Sequence, residues 1–294
     1  MRKLITFISF VIVVLLVSAC GNKQIVLEHI HGIGYSSSGK QILIPAHNGL
    51  VAYSEGKWQN VDAPKNDYMG FVTVDNGFYS SGHPAAGSNL KNPLGIVKSE
   101  DLGKTLTKLG LEGESDFHGM TVGFKSHAIY VFNAQPNSKM KSAGLFYSTD
   151  DAKTWNQSAA AGLSGEPITM SAHPTDAKTI AVGSKTGLLI STDSGNRFDT
   201  LLPQIIVSAV YFSKNGELFV ASPQSATLKQ INLDTKGTKE IKLPSLDKDD
   251  AVSYIDQNPT AESEITIATF KKDIYTSKDA GTNWTRIVDK GTGN

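Results

Sequence analysis

Seven histidines carry most of this chain's capacity for chemistry near neutral pH: His29, His31, His47, His83, His118, His127 and His173, with none after residue 173. Imidazoles joined by a carboxylate or a thioether suit zinc or copper, and methionine favours the softer cuprous ion. His29 and His31 stand two apart, so a regular strand points both to one side. The candidate ligand or metal set is His29, His31, His47, Asp67, Met69, His83, Asp116 and His118. Copper and zinc are the ions such donors would hold. His127 in "KSHAIY" and His173 in "SAHPTDAKTI" read instead as turn residues.

Whether these side chains can meet depends on the elements that carry them, and a repeat sets those elements. The stretch "STDSGNRF" from Ser191 returns as "SKDAGTNW" from Ser277, "STDDAKTW" from Ser148 and "SEDLGKTL" from Ser99. A shortened copy, "SEGKW", starts at Ser54, and a degraded one, "NLDTKG", at Asn232. The six starts are 41 to 49 residues apart, a period that points to propellers or solenoids. Within the fourth unit, "ITMSAHP", "TIAVGS", "GLLIS" and "RFDTL" are four short runs rich in β-branched residues, broken by turn formers. Four strands per unit make a propeller blade. The expectation is an all-β, six-bladed β-propeller with four antiparallel strands per blade, each blade contiguous in sequence. A seven-bladed ring, the alternative, would leave about 39 residues per blade, shorter than the spacing observed.

The repeated box falls between the third and fourth runs, where a hairpin must turn. Its Asp can accept hydrogen bonds from turn amides, its Gly supplies a positive φ, and its aromatic packs on the blade. The residues with this structural role are Ser99, Asp101 and Gly103; Ser148, Asp150 and Trp155; Ser191, Asp193, Gly195 and Phe198; and Ser277, Asp279, Gly281 and Trp284. In the same frame His31 and His118 fall in first strands, Met69 and Met170 at comparable points, and His47 and His83 at the ends of second strands. The start of strand one and the end of strand two share one edge of a blade. The histidines therefore converge on the face opposite the boxes, around the central channel. The inserts "PAAGSNLKNP" (84–93) and "NAQPNSKMKSAG" (133–144) belong to that face and are expected to wall a pocket there.

The N-terminus has a separate meaning. Arg2 and Lys3 precede an apolar run from Leu4 to Val17, and small residues lead to Cys20, the only cysteine. This is the plan of a secretory signal, too short to span a bilayer comfortably. "VSAC" followed by Gly21 resembles the lipobox of bacterial lipoproteins, which implies that Cys20 becomes the lipidated first residue, anchored on the outer face of the cell membrane. Residues 1–20 are then the leader, 21–24 a short polar tether, and 25–294 the propeller. With Cys20 acylated, no thiol remains for a disulfide, a nucleophile or a thiolate metal site. Lys and Arg number 28 against 28 acidic residues, and two of the basic ones lie in the leader, so nothing points to nucleic acid as a partner. A monomer is expected.

The boxes at Ser99, Ser148, Ser191 and Ser277 resemble the Asp-box, or BNR, repeats of sialidases, sortilin-type receptors and photosystem assembly factors. More narrowly, "HIHGIG", "PAHNGL", "DYMGFVTV", "SSGHP" and "SDFHG" resemble a family of bacterial exported propellers described as sialidase-like or glycosylhydrolase-like. The resemblance implies the fold and leaves function to the site. Sialidases hold their substrate carboxylate with three arginines. Outside the leader this chain has only Arg197 and Arg286, both at the hairpin end of their blades, so the arginine triad is absent and no catalytic residue is assigned. The leading expectation is a non-catalytic binding module presenting its histidine face to a small ligand, a metal ion or an exported protein. A glycoside hydrolase acting on envelope glycans, which needs only two carboxylates, and an assembly factor for an exported or membrane protein are the alternatives.

Overall fold

A computed structural model describes residues 24–293; the expected leader and Cys20 lie outside the described residues. The two-residue strand β1 (Ile25–Val26) is followed by blade one, β2 (Gly34–Tyr35), β3 (Ile42–Ala46), β4 (Gly49–Ser54) and β5 (Lys57–Asn60). Blade two is β6 (Asp67–Val74), β7 (Gly77–His83), β8 (Ile96–Ser99) and β9 (Thr107–Gly110). Blade three is β10 (Met120–Val122), β11 (Ile129–Asn133), β12 (Gly144–Ser148) and β13 (Asn156–Gln157). Blade four is β14 (Pro167–Ala172), β15 (Ile180–Ser184), β16 (Gly187–Ser191) and β17 (Asp199–Pro203). Blade five is β18 (Ala209–Phe212), β19 (Leu218–Ala221), β20 (Thr227–Ile231) and β21 (Thr238–Lys242). Blade six is β22 (Val252–Gln257), β23 (Ile265–Thr269), β24 (Ile274–Ser277) and β25 (Thr285–Asp289), and β26 (Thr292–Gly293) ends the described chain.

The result is a six-bladed β-propeller of antiparallel four-stranded meanders, not seven-bladed. Contiguity holds for five blades and fails at the sixth. There β26 adds to β25 and then pairs with β1, Ile25 opposite Gly293, so the N-terminal strand completes the last sheet. Blade boundaries alone could not reveal this, because β1 is too short to register as a strand.

Both faces of most inner strands are buried, and alternation sends successive residues to opposite neighbours. In β3, Ile42 and Ile44 join the cluster shared with blade six, whereas Leu43 joins Tyr68, Phe71 and Phe78 of blade two. In β15, Ile180 and Val182 face blade three and Ala181 faces blade five. Each fully buried aliphatic contributes roughly 1.5–3 kcal/mol, so the ring is held by its inter-blade seams. Close approach matters at β2: a Cβ on Gly34 would lie 2.4 Å from Thr73 Cγ2, which is why "HGIG" needs its second glycine.

A polar ring runs beside the channel at the ends of the inner strands. Thr121 Oγ1 accepts the Ala172 N–H (3.1 Å), Ser171 Oγ accepts the Phe212 N–H (2.9 Å), and Asp256 Oδ2 accepts the Tyr35 N–H (2.6 Å). The last of these joins blade six to blade one and closes the circle.

The four repeated boxes build the same hairpin. Ser99 Oγ accepts the Gly103 N–H at 2.7 Å and donates to Asp101 Oδ1 at 2.9 Å, while Asp101 accepts the Thr105 N–H at 2.9 Å. Ser148 with Asp150, Ser191 with Asp193 and Ser277 with Asp279 repeat the pattern. In the degraded copy Asn232 Oδ1 takes over, accepting the Asp234 and Thr235 amides. Phe198 is buried in the seam with blade three, Trp155 packs on the seam between blades two and three, and the Trp284 indole donates to the Lys242 carbonyl at 2.8 Å. Backbone N–H bonds hold Asp150 down at about 2, with the Thr154 amide and hydroxyl the largest causes, followed by Ser148.

Candidate functional site

The five candidate histidines do gather on the face opposite these hairpins, but they reach it from different places than the sequence pattern predicts. His31 and His118 lie in extended approaches just before β2 and β10, not inside the first strands. His31 is steadied by its N–H donating to the Pro45 carbonyl at 3.4 Å. The short inner strands explain the shift, since β2 is two residues long and β10 three. His47 follows β3 directly, and His83 is the last residue of β7.

The single set read from sequence separates into two clusters, each centred on a carboxylate at a blade junction. At the first junction Asp67, which opens β6, meets His47 Nδ1 at 2.7 Å and His31 Nε2 at 3.7 Å. His29 completes this group, with its ring stacked parallel to His31 at 5.9 Å and edge-on to His47 at 4.6 Å. At the second junction Asp116 meets His118 Nε2 at 2.8 Å and His83 Nε2 at 3.3 Å, and His83 Nδ1 meets Asn92 Oδ1 at 2.7 Å. The logic is the same twice: a histidine ending strand two of one blade reaches the carboxylate that introduces the next. Met69 does not join either group as a channel residue. It is buried in β6 opposite Ser81 and is absent from the cavity lining.

The first cluster differs from the second in burial. His31 Nε2 and Asp67 Oδ1 are both buried atoms without a hydrogen-bond partner. Burial lowers the His31 pKa, the Asp67 charge opposing it and the neighbouring imidazoles of His47, His29 and His118 adding to it. The lowered pKa favours the neutral ring, which keeps a lone pair. Among the described residues, His31, His47 and Asp67 form a set whose donor atoms all lie within 4.8 Å of one another.

His29, His31 and His118 also line a cavity of about 880 Å³ along the propeller axis. Its walls are largely apolar, with Phe71, Met120, Phe132, Met170 and Tyr254. The rim is divided. Blades one to three supply the histidines, and blades four and six supply Ile168 and Phe270, large apolar side chains that remain exposed, Phe270 by 61 %. Phe270 directly follows the second strand of its blade, the position His47 holds in blade one. Superposing the repeats on their second strands, instead of on the boxes, would have found it.

At the opposite end of the channel Lys214 lines the cavity. Its ammonium lies 3.9 Å over the Phe124 ring, 5.3 Å from that of Tyr211 and 3.6 Å from Asp256 Oδ1. Burial lowers its pKa against the opposing pull of Asp256. Sequence reading missed this pair, because neither residue lies in a motif.

Other expectations are corrected. The two inserts sit on the histidine face but do not wall the cavity. Residues 84–93 are tied down by the Ala85 N–H donating to Asn66 Oδ1, and Asn92 Oδ1 meets His83 Nδ1. Residues 133–144 brace the approach to blade three through Asn137 to Ser115 and Ser138 to Glu114. His127 is held at the other face by Asp75 (2.7 Å) and Tyr79 (3.2 Å), and His173 Nδ1 accepts the Asp176 N–H at 3.0 Å, the turn roles expected of them. Arg197 and Arg286 pair with Asp199 and Asp289 on outer strands, away from the cavity lining.

No family model and no curated protein matches this chain. Solved structures do share its fold. A GH74 enzyme from Niastella koreensis is 16% identical with a TM-score of 0.59, over 90% of this chain and 46% of that one. This chain thus spans about half the length of that relative. YCF48 bound to a D1 peptide is 13% identical with a TM-score of 0.51, over 92% and 85%. A nidogen/laminin complex chain is 10% identical with a TM-score of 0.59, over 83% and 91%. At these identities the likeness defines the class, a β-propeller, and nothing narrower.

Proposed function

We propose that this chain is a non-catalytic binding module, held by lipid on Cys20 at the extracytoplasmic face of a cell membrane, that takes its ligand at the histidine-bearing mouth of the propeller. The four Ser-x-Asp hairpins are read as Asp-box repeats with a purely structural role. The observation that carries the reading is the mouth: an axial cavity of about 880 Å³ with apolar walls, imidazoles on one half of its rim and exposed Ile168 and Phe270 on the other. Concave, mostly apolar sites with a few convergent polar groups are where small ligands bind. Exposed apolar side chains on a rim suit a polypeptide as well.

Binding is favoured over hydrolysis by the state of the carboxylates. A glycosidase needs two of them flanking the scissile bond about 5–9.5 Å apart. The cavity is lined by Glu28 and Asp256, and Asp256 already accepts the Tyr35 and Gln257 amides at the far end. Asp67 and Asp116 are engaged by histidines. An exported or membrane protein is the second ligand class. It is supported by the apolar half of the rim and by fold neighbours seen with a D1 peptide and with laminin.

The test is native mass spectrometry of the full chain purified from membranes in detergent, beside a His29→Ala, His31→Ala, His47→Ala triple variant and an assay for reducing ends released from a glycan panel. The expected result is a bound species on the wild type that is lost from the folded triple variant, with no glycan turnover. Turnover of any glycan, or a bound species indifferent to the triple substitution, would overturn the reading.

A further inference from the structure

We infer that the junction of blades one and two is a binding site for a divalent transition-metal ion of the zinc class, held by His31 Nε2, Asp67 Oδ1 and His47. The inference deepens the binding reading above by naming a ligand for the mouth, and it rests on that reading for its biological meaning.

Three independent features meet at this point. The first is donor chemistry: two imidazoles and a carboxylate are a frequent zinc set, with the fourth position left to water or another ligand. The second is spacing. Donors on a tetrahedral zinc stand about 3.3 Å apart, given bonds of about 2.0–2.2 Å. His31 Nε2 and Asp67 Oδ1 are 3.7 Å apart, and no pair in the set exceeds 4.8 Å. The set has to contract by about 0.4–1.5 Å to close around an ion.

The third feature is the pair of buried atoms that nothing satisfies. A buried donor or acceptor without a partner costs about 1–3 kcal/mol, so proteins seldom keep one without a reason. Here two such atoms, His31 Nε2 and Asp67 Oδ1, face the same small space. One cation between them satisfies both. The Asp116 cluster offers the contrast: it has the same residue types, but its His118 side chain is 67% exposed and already bonded to Asp116, and it leaves no orphaned atom.

The donor set also selects the ion. Copper(I) prefers sulfur, and Met69 is buried in blade two away from the channel lining. Zinc and copper(II), which accept imidazole and carboxylate, fit; calcium and magnesium, which want six or more oxygens or keep their waters, do not. His29 stands beside both ligand imidazoles and is placed to supply the fourth position or to hydrogen-bond a water there.

The experiment is titration of zinc, followed by cobalt(II) as a spectroscopic stand-in, into the full chain stripped with chelator in detergent. The expected result is one equivalent of zinc and, with cobalt, intense visible bands of a four- or five-coordinate site. His31→Ala and His47→Ala should each weaken binding at least tenfold. The His83→Ala, His118→Ala double variant should leave it within about twofold. Asp67→Asn, which keeps a side chain of the same shape, guards against misfolding as an explanation and should also weaken binding and abolish the cobalt bands. Absence of stoichiometric binding to the folded wild type, or binding lost on removing His83 and His118 instead, would overturn the site. If zinc does not bind while the membrane-purified chain still carries a species lost in the triple variant, the metal inference fails and the binding module stands.

Discussion

Asp256→Ala should be among the most damaging single substitutions in the ring, and the reason can be worked through. The carboxylate is almost wholly buried. It accepts the Tyr35 N–H from blade one at 2.6 Å and the Gln257 N–H at 2.8 Å, and faces the Lys214 ammonium at 3.6 Å. Leaving a buried N–H unpaired costs about 1–3 kcal/mol, and stripping the partner from a buried charge costs about 3–5 kcal/mol. The losses share one group and are not additive. Lys214 can also escape part of its penalty by losing its proton, since burial already lowers its pKa. The expected loss is about 3–6 kcal/mol, a large part of the roughly 5–15 kcal/mol that stabilises a typical domain. Asp256→Asn keeps an acceptor for Tyr35 and should cost about 1–3 kcal/mol. Adding Lys214→Met to Asp256→Ala should recover about 1–3 kcal/mol, because the unpaired charge is gone. Urea unfolding of the four proteins measures these differences, and hydrogen exchange at the Tyr35 amide reads the closing contact directly. A loss below about 1 kcal/mol for Asp256→Ala, or no recovery on removing Lys214, would refute the assignment of this carboxylate as the clasp between first and last blades.

Three further outcomes follow from the same geometry. Gly195→Ala should lower stability by about 1–3 kcal/mol, because Gly195 sits at φ 78° and an added Cβ would lie 2.7 Å from Leu145 Cδ2; thermal melts check it. Asp150 has its pKa depressed on folding, from 3.8 to about 2, so its contribution is complete above pH 4 and is lost as pH falls through about 2. Asp150→Asn should therefore flatten the acid limb of a stability–pH curve between pH 4 and 2, with little change in its shape above that. Leu27→Ala, at a fully buried residue beside β1, should cost about 2–5 kcal/mol, whereas Val26→Ala, 70 % exposed on the same strand, should change stability by less than about 0.5 kcal/mol. Equal effects in chemical denaturation would show that β1 does not anchor the last blade.

Much of the fold was legible because its signals are local. The box serines, aspartates and glycines make hydrogen bonds over two to four residues, as Ser191 does with Asp193 and Gly195. Residues that interact at such short range must recur at the same spacing, so the repeat, the blade count and the position of each hairpin could be read directly. The same periodicity placed the histidines on the correct face, since strand order alone determines which ends share an edge. His127 and His173 were assigned to turns for the same reason.

What the letters could not decide is which side chains meet. The pairing of His47 with Asp67 crosses from blade one to blade two, and that of His83 with Asp116 from blade two to blade three, so eight residues read as one set became two clusters. Met69 left the set because it is buried in β6, and Phe270 entered the rim because its blade, unlike the first, follows strand two with an aromatic. Lys214 and Asp256 found each other across the seam between blades five and six, and β1 found β26 across more than 260 residues, through the closure of the ring. Sequence by itself determined the unit and its number, because a blade is built from contacts within about 45 residues. Only the closed tertiary structure decided the site, because the carboxylate contacts of His31, His47 and His83 join one blade to the next.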